Sequence, residues 1–109
     1  MMRDYPKPIK KLIRQYAEVA YERELRAELD RLAQGFAEWQ AGQISSWDLS
    51  DRIHKYETGP SRELYKRYSD GSADANVAWA VHQGLMSRDE VAPEVLEALA
   101  PWLSFYEAQ

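Results

Sequence analysis

Residues 8–40 read PIKKLIRQYAEVAYERELRAELDRLAQGFAEWQ, and the longest helix of the fold is predicted from this segment. It is rich in Ala, Leu, Glu, Arg and Gln, and its only proline is Pro8, which suits the first turn of a helix. Gly35 interrupts the stretch at a cost of about 1 kcal/mol relative to Ala. Leu32 and Phe36 nevertheless stay in helical phase on either side of it. The pattern predicts one helix over residues 8–40 that is continuous through Gly35.

The apolar stripe of this helix changes face partway along. At 100° per residue, an early apolar set clusters on one side of the helix and a later set clusters roughly 150° away. The early set is Ile9, Leu12, Ile13, Tyr16 and Ala20, and the later set is Tyr21, Leu25, Leu29, Leu32, Phe36 and Trp39. We therefore expect the two halves of the helix to pack against different partners.

The length of the helix predicts that one end protrudes. A helix of about 33 residues is about 50 Å long, whereas a compact domain of about 100 residues is only about 34 Å across. We expect the N-terminal half to lack cover from its own chain and to pair with a second copy around a two-fold axis. The alternatives are that later helices fold back over this half, or that the helix bends near Tyr21. The predicted interface consists of Ile9, Leu12, Ile13, Tyr16 and Ala20, with Trp47 as a further contact.

A short motif of Gly, any residue, an apolar residue and Ser occurs at 42–45 and again at 84–87, each time followed by an acid, Asp48 or Glu90. It resembles the second half of an EF-hand calcium loop, in which glycine makes the sharp turn. The resemblance stops at the ligands, because the positions that should supply oxygen atoms hold apolar residues or glutamine. Those positions are Ala37, Trp39, Ala41, Trp79, Val81 and Gln83. The motif therefore predicts two helix corners, in which glycine ends one helix and serine with an acid begins the next.

The remaining helices are short and are bounded by glycine, proline and serine. Gly59 is expected to end the second helix and Pro60 to open the third, while Ser72 is expected to cap the fourth. The predicted spans are 45–57, 60–68, 72–83 and 93–100. The aromatic tail, residues 101–109, is expected to dock onto the rest. The fold class is all-α, with one domain over residues 1–109 that combines the long helix with a bundle of four shorter helices over 45–100.

Composition excludes several classes of protein. The chain has 109 residues, of which 45% are hydrophobic and 29% charged, as in a globular domain. It contains no cysteine, so it has neither disulfides nor a thiolate nucleophile nor a Cys-ligated zinc site. No stretch resembles a membrane span, and residues 1–6 lack the apolar segment of a signal peptide. We expect a soluble, cytoplasmic protein that needs no cofactor and does not bind membranes.

Basic residues offer an alternative function. The N-terminal segment and the third helix both carry lysine and arginine that could contact phosphates, with tyrosines nearby to stack on a base. The net charge of −4 opposes this, since nucleic-acid binding usually rests on a broadly basic face. The residues predicted for such anion or nucleic-acid contacts are Lys7, Lys10, Lys11, Arg14, Arg62, Lys66 and Arg67.

Asp51 and His54 stand three residues apart on the second helix, a spacing used by paired metal ligands in helical bundles. Together with Arg62 they give a third hypothesis, an enzyme or ligand-binding protein. The alternative of a surface ion pair is favoured, because the only other histidine, His82, has Trp79 where a second ligand would stand. The sequence thus predicts first a non-catalytic protein interaction module, which forms a homodimer or is the partner of another protein. A nucleic-acid accessory protein comes second and an enzyme third.

Overall fold

The long helix α1 spans Lys7–Gln40 in the computed structural model, which describes residues 4–109. The prediction of one uninterrupted helix is confirmed. Gly35 is tolerated because the second helix packs closely against it. A Cβ atom at this position would lie 3.3 Å from the Arg52 guanidinium and 3.6 Å from Leu49. The missing side chain therefore allows the close approach of the two helices.

The second helix does not end at Gly59. Helix α2 spans Ser46–Tyr56, a π-helical turn follows over Glu57–Ser61, and α3 continues over Arg62–Asp70. The predicted break at Gly59-Pro60 is wrong for a local reason. In an α-helix the Pro60 ring would collide with the carbonyl group four residues earlier. Widening one turn to π geometry accommodates the ring while the chain stays helical.

The last third of the chain folds over the first half of α1. It comprises α4 over Ala73–His82, a 3₁₀ turn over Arg88–Glu90, α5 over Pro93–Ala98 and α6 over Ala100–Glu107. The aromatic tail docks as expected, but it does so as a helix, with Leu103 buried. Ser72 stands at the start of α4, yet its hydroxyl donates to the Asp74 carboxylate and makes no capping bond.

Both predicted glycine-serine corners are present. Gly42 and Gly84 have positive φ angles of 76° and 79°, and each ends its helix with the backbone bonds of a Schellman motif. Ser45 and Asp48 then form a reciprocal capping box at the first corner. At the second corner the Ser87 amide donates to Glu90, at 2.8 Å.

The second corner is also clamped to α1. The Arg23 guanidinium donates to the Glu90 carboxylate at 3.0 Å and to the Leu85 carbonyl at 2.9 Å. Bonds from Arg23 and from the Ser87 amide lower the pKa of Glu90 to about 2. The corner therefore keeps its ionic clamp throughout the neutral and mildly acidic range.

Replacing Gly84 by Ala is expected to lower the free energy of unfolding by about 1–2 kcal/mol, because an L-residue with a side chain disfavours this left-handed conformation. Gly59→Ala is the matched control. Gly59 lies in the π-helical turn with open space around it, and its φ angle is not positive. That variant should be neutral or slightly stabilising. Urea unfolding followed by circular dichroism measures both. Equal losses in the two variants would contradict the assignment.

The hydrophobic core lies around the first half of α1. Ile13 and Ala20 are fully buried, together with Val77, Val95 and Leu99 from the later helices. The expectation that the N-terminal half protrudes is therefore wrong, and the alternative that later helices fold back over it is correct. The half that extends beyond the core is the C-terminal one, and α2 lies alongside it. The molecule accordingly measures 53 × 27 × 26 Å.

The fold class is confirmed as all-α, and residues 4–109 contain no strand. Within the same residues, no helix is both long enough and apolar enough to cross a membrane.

Candidate interaction surface

The extended half of the molecule is a helical hairpin, which we call the arm: the C-terminal part of α1, residues 25–40, with α2. Its two helices pack most closely at Gly35, where Leu49 and Arg52 of α2 approach the α1 backbone. Arg52 reaches Glu38 across the hairpin at 3.5 Å, and the Trp39 indole donates to the Ser46 hydroxyl at 3.0 Å. These contacts fix the relative position of the two helices at the end far from the core.

Large apolar side chains remain uncovered along the arm. Leu29, Phe36 and Trp39 of α1 and Ile53 of α2 are 37–44% exposed, and Trp47 is 87% exposed. We call the α1 residues Leu25, Leu29, Leu32, Phe36 and Trp39 the arm stripe; its other two members, Leu25 and Leu32, are half-buried. The later of the two apolar sets of α1 is thus the one whose side chains the chain itself leaves partly exposed.

The tip of the arm, residues 32–47, is nearly free of charge, whereas the rest of its two helices carries acidic and basic residues. From Leu32 to Trp47 the only charged residue is Glu38, and Glu38 is paired with Arg52. Depletion of charge together with enrichment in aromatic residues is typical of the core of a protein interface. Several large apolar side chains left exposed on one part of a chain mark an interaction site more often than singly scattered ones do.

The predicted interface lies elsewhere and is largely buried within the chain. Ile13 and Ala20 have no exposed surface, and Ile9, Leu12 and Tyr16 pack against the core. Tyr16 also accepts a hydrogen bond from the Ala92 amide at 3.0 Å. These five residues are therefore unavailable to a second copy. Their apolar phase was correctly identified, but it indicated the core rather than a dimer interface. Trp47 alone of the predicted set is open to a partner.

The predicted anion-binding residues are separated by the fold. Lys7, Lys10, Lys11 and Arg14 line one shallow cleft of about 530 Å³ on α1, where Lys10 also pairs with Asp4 at 3.5 Å. Arg62 and Lys66 are exposed on α3. Arg67 is committed to internal contacts. Its guanidinium bonds to Glu24 at 3.0 Å and lies over the Trp79 ring, 4.6 Å from the ring centre.

The predicted catalytic or metal-binding group is a surface arrangement. The Asp51 carboxylate pairs with the Lys55 ammonium at 2.9 Å, while the side chains of His54 and Arg62 are exposed. The hydrogen bond and charge of Asp51 raise the pKa of Lys55. No three side chains of the type that bind metals converge anywhere in the part of the chain that the structure describes.

Two clefts flank the π-helical turn, and sequence reasoning missed both. One, of about 370 Å³, lies between α1 and α3, and the other, of about 320 Å³, lies between α1 and α2; Pro60 borders each. The charged groups that line them are largely paired, including Glu28 with Arg31 and Glu24 with Arg67. In the sequence, the two clefts correspond to Gly59-Pro60, the pair that predicted a helix break.

The most buried polar group is Asp74, which no sequence pattern had singled out. Its carboxylate has no exposed surface and accepts from the Tyr5 hydroxyl at 2.9 Å and from the Trp102 indole at 3.0 Å. Ser72 and the Ala75 amide donate to its other oxygen. Burial alone would raise the pKa of Asp74, but these four donors more than offset it, and the net effect is a lowered pKa. Asp74 therefore acts as an internal tie between the N-terminus, α4 and α6.

Comparison with protein-family models, with curated proteins and with solved structures finds no match to this chain. The function must therefore be argued from the arm and its exposed side chains.

Proposed function

We propose that this chain is a non-catalytic protein interaction module that binds a partner protein through the outer side of the arm. The observation that carries the proposal is the 87% exposure of Trp47 at the charge-poor tip of the arm. Tryptophan is among the residues most enriched at the energetic centres of interfaces. Left in water, it keeps a large apolar surface exposed without compensation from its own chain.

Trp47 is held on a rigid backbone. It lies in the first turn of α2, between the two residues of the capping box, Ser45 and Asp48. The Schellman turn at Gly42 fixes the preceding loop. A side chain presented on such a preorganised turn loses little conformational entropy on binding, which favours affinity.

The orientation of Trp47 separates it from the arm stripe. Leu49 of α2 faces α1 at Gly35, and Trp47 stands two residues, about 200°, away on the helix. The indole therefore projects away from α1. The partner that we propose contacts the outer side of α2, and the charge-poor loop over residues 41–46 lies next to it.

The proposal is tested by affinity capture from the native cell with three tagged chains: wild type, Trp47→Ala and Phe105→Ala. Phe105 is the matched control, because it is an exposed aromatic residue, at 51%, on α6. We expect one or more proteins to be retained by the wild type and the control and lost with Trp47→Ala. With the purified partner, Trp47→Ala should weaken binding about 30-fold or more, the effect of a typical energetic centre.

Two outcomes would overturn the proposal. One is that all three chains retain the same proteins equally well. The other is that Phe105→Ala abolishes capture while Trp47→Ala does not, which would move the binding surface to α6. Circular dichroism of each variant shows that the fold is retained.

A further inference from the structure

We infer that a second copy of this chain covers the arm stripe, with the two α1 helices antiparallel around a two-fold axis that passes between residues 30 and 31. The inference rests on the proposed function in taking the arm as an interaction surface. It uses a different side of the arm from Trp47, so the copy and the partner protein would bind without competition.

The spacing of the arm stripe is that of a helix-pairing seam. Its members follow one another at steps of four, three, four and three residues, from Leu25 to Trp39. Apolar residues in this alternation form the a and d positions of a heptad repeat, which packs knobs into holes against a second helix. A helix that only covers its own core needs a wider and less regular stripe.

The stripe is complementary to itself when reversed. In an antiparallel pair, a positions of one helix meet d positions of the other. Pairs whose residue numbers add to 61 satisfy this for four of the five stripe residues. Leu29 then meets Leu32 of the second copy, and Leu25 meets Phe36. The outermost layer places Trp39 over Glu22, whose carboxylate already points to Arg26, at 3.6 Å, on the rim.

Helix α2 adds to the same face. Phe36 and Glu38 lie on opposite sides of the direction of Gly35, which faces α2, with about 160° between them around the α1 axis. Arg52 donates to Glu38 and therefore lies on the side of the hairpin opposite to Phe36. Ile53, one residue on and 37% exposed, is turned towards the Phe36 side. Two such hairpins, each contributing α1 and α2, make a four-helix arrangement of the ordinary antiparallel kind.

The exposed area matches what a dimer needs. A folded monomer of 12.7 kDa is expected to expose about 6,200 Å², but this chain exposes 7340 Å². The excess of about 1,100 Å² is somewhat larger than the roughly 800 Å² that each partner buries in a standard interface. The radius of gyration, 17.2 Å against about 13 Å for a compact chain of this length, shows the same extension. Covering the arm with a second copy brings the exposed area per chain back to the usual value.

Light scattering on the purified full chain tests the association. We expect a mass near 25 kDa for the wild type, twice the chain mass. The double variant Leu29→Glu, Phe36→Glu should be monomeric, because it places carboxylates in neighbouring layers of the seam. Phe105→Glu, which puts the same charge on an exposed aromatic site outside the arm, should remain dimeric. A monomeric wild type at the concentrations used for the variants overturns the inference.

Cross-linking tests the register. The chain has no cysteine, so single cysteines can be introduced without a background. Leu25→Cys and Phe36→Cys chains refolded together should be joined as mixed dimers by a short cysteine-reactive linker. Each variant alone should not be joined, because identical positions would lie 11 residues, about 16 Å, apart along the axis. Linking of identical chains, or no linking in a dimeric mixture, overturns the antiparallel register.

The two proposals fail separately. Trp47→Ala should leave the 25 kDa mass unchanged while it abolishes partner capture. A dimer that captures no protein counts against the proposed function alone, and a monomer that captures a Trp47-dependent partner counts against the dimer alone.

Discussion

Asp74→Ala is expected to lower the free energy of unfolding by about 3–5 kcal/mol, a large part of the stability of a domain of this size. The Asp74 carboxylate is fully buried and accepts from Tyr5 and Trp102. Hydrogen bonds to a charged group contribute about 1.5–3 kcal/mol each, and their loss leaves both donors without this acceptor. Asp74→Asn should be almost as harmful, because its amide nitrogen would replace an oxygen that accepts from two donors.

Urea unfolding followed by tryptophan fluorescence measures the effect. The matched control is Asp51→Ala, which removes an exposed acid paired with Lys55 on α2 and should change the free energy of unfolding by less than about 0.5 kcal/mol. Unfolding of Asp74→Ala at the same urea concentration as the wild type would show that the buried network contributes nothing.

The pH dependence of stability should follow from the same carboxylate. Its pKa is lowered in the folded protein, so the unfolded chain takes up a proton first as the pH falls. The stabilisation is fully present above the unfolded pKa of about 3.9 and is lost as the pH falls through the folded pKa. Wild type should therefore lose more stability than Asp74→Ala below about pH 4. The lowered pKa of Glu90 contributes a pH dependence of the same sign to the stability of both proteins. The difference between their stability curves therefore reports on Asp74.

Ile13→Ala is expected to lower the free energy of unfolding by about 2–4 kcal/mol, because it leaves a cavity at a fully buried position among α4 and α5. The Ile13→Ala chain should keep the same mass as the wild type in light scattering, since the cover of Ile13 comes from the same chain. A residue in a dimer interface would instead weaken association, and the variant would have a lower mass than the wild type at the same concentration.

Val19→Ala is the control for Ile13, because Val19 is 39% exposed on the same helix. It should change the free energy of unfolding by less than about 0.5 kcal/mol. A loss as large as that of Ile13→Ala would mean that the helix itself, rather than the buried contact, governs the result.

Local features of the fold were predictable, because each rests on a few neighbouring residues. The continuous α1 follows from its composition, and the corners at Gly42 and Gly84 follow from glycine with a downstream serine and acid. The π-helical turn was missed because Gly59-Pro60 carries the same signal as a helix break. Whether the chain breaks or stays helical at this point depends on the free energy that α3 gains by packing Leu64 and Tyr68 beside α1. That free energy comes from contacts with a distant segment, so the residues around Gly59 do not predict it.

The exposed apolar surface of α1 lies on the other half of the helix from the one predicted. The two apolar faces of α1 were visible in the sequence, and so was Trp47. Both faces have the same chemical character, so their pattern alone does not distinguish a face that meets the core from a face left for a partner. The Ile13 face was therefore predicted to be the interface, whereas the fold covers this face with later helices and leaves the arm stripe partly exposed.

Local sequence is enough to establish that the chain is all-helical, where α1 begins and ends, and how its glycine corners are built, since these depend on backbone propensity and capping within a few residues. The covered half of α1, in contrast, follows from packing between distant segments. The nearly all-apolar α4, with Val77, Ala78, Ala80 and Val81 buried, has to find an apolar face, and the Ile13 face gives it one. Asp74 then ties the N-terminus and α6 to the same end, through contacts that are 69 and 28 residues apart in sequence. Burial energy between distant segments selected the covered face and left the arm open.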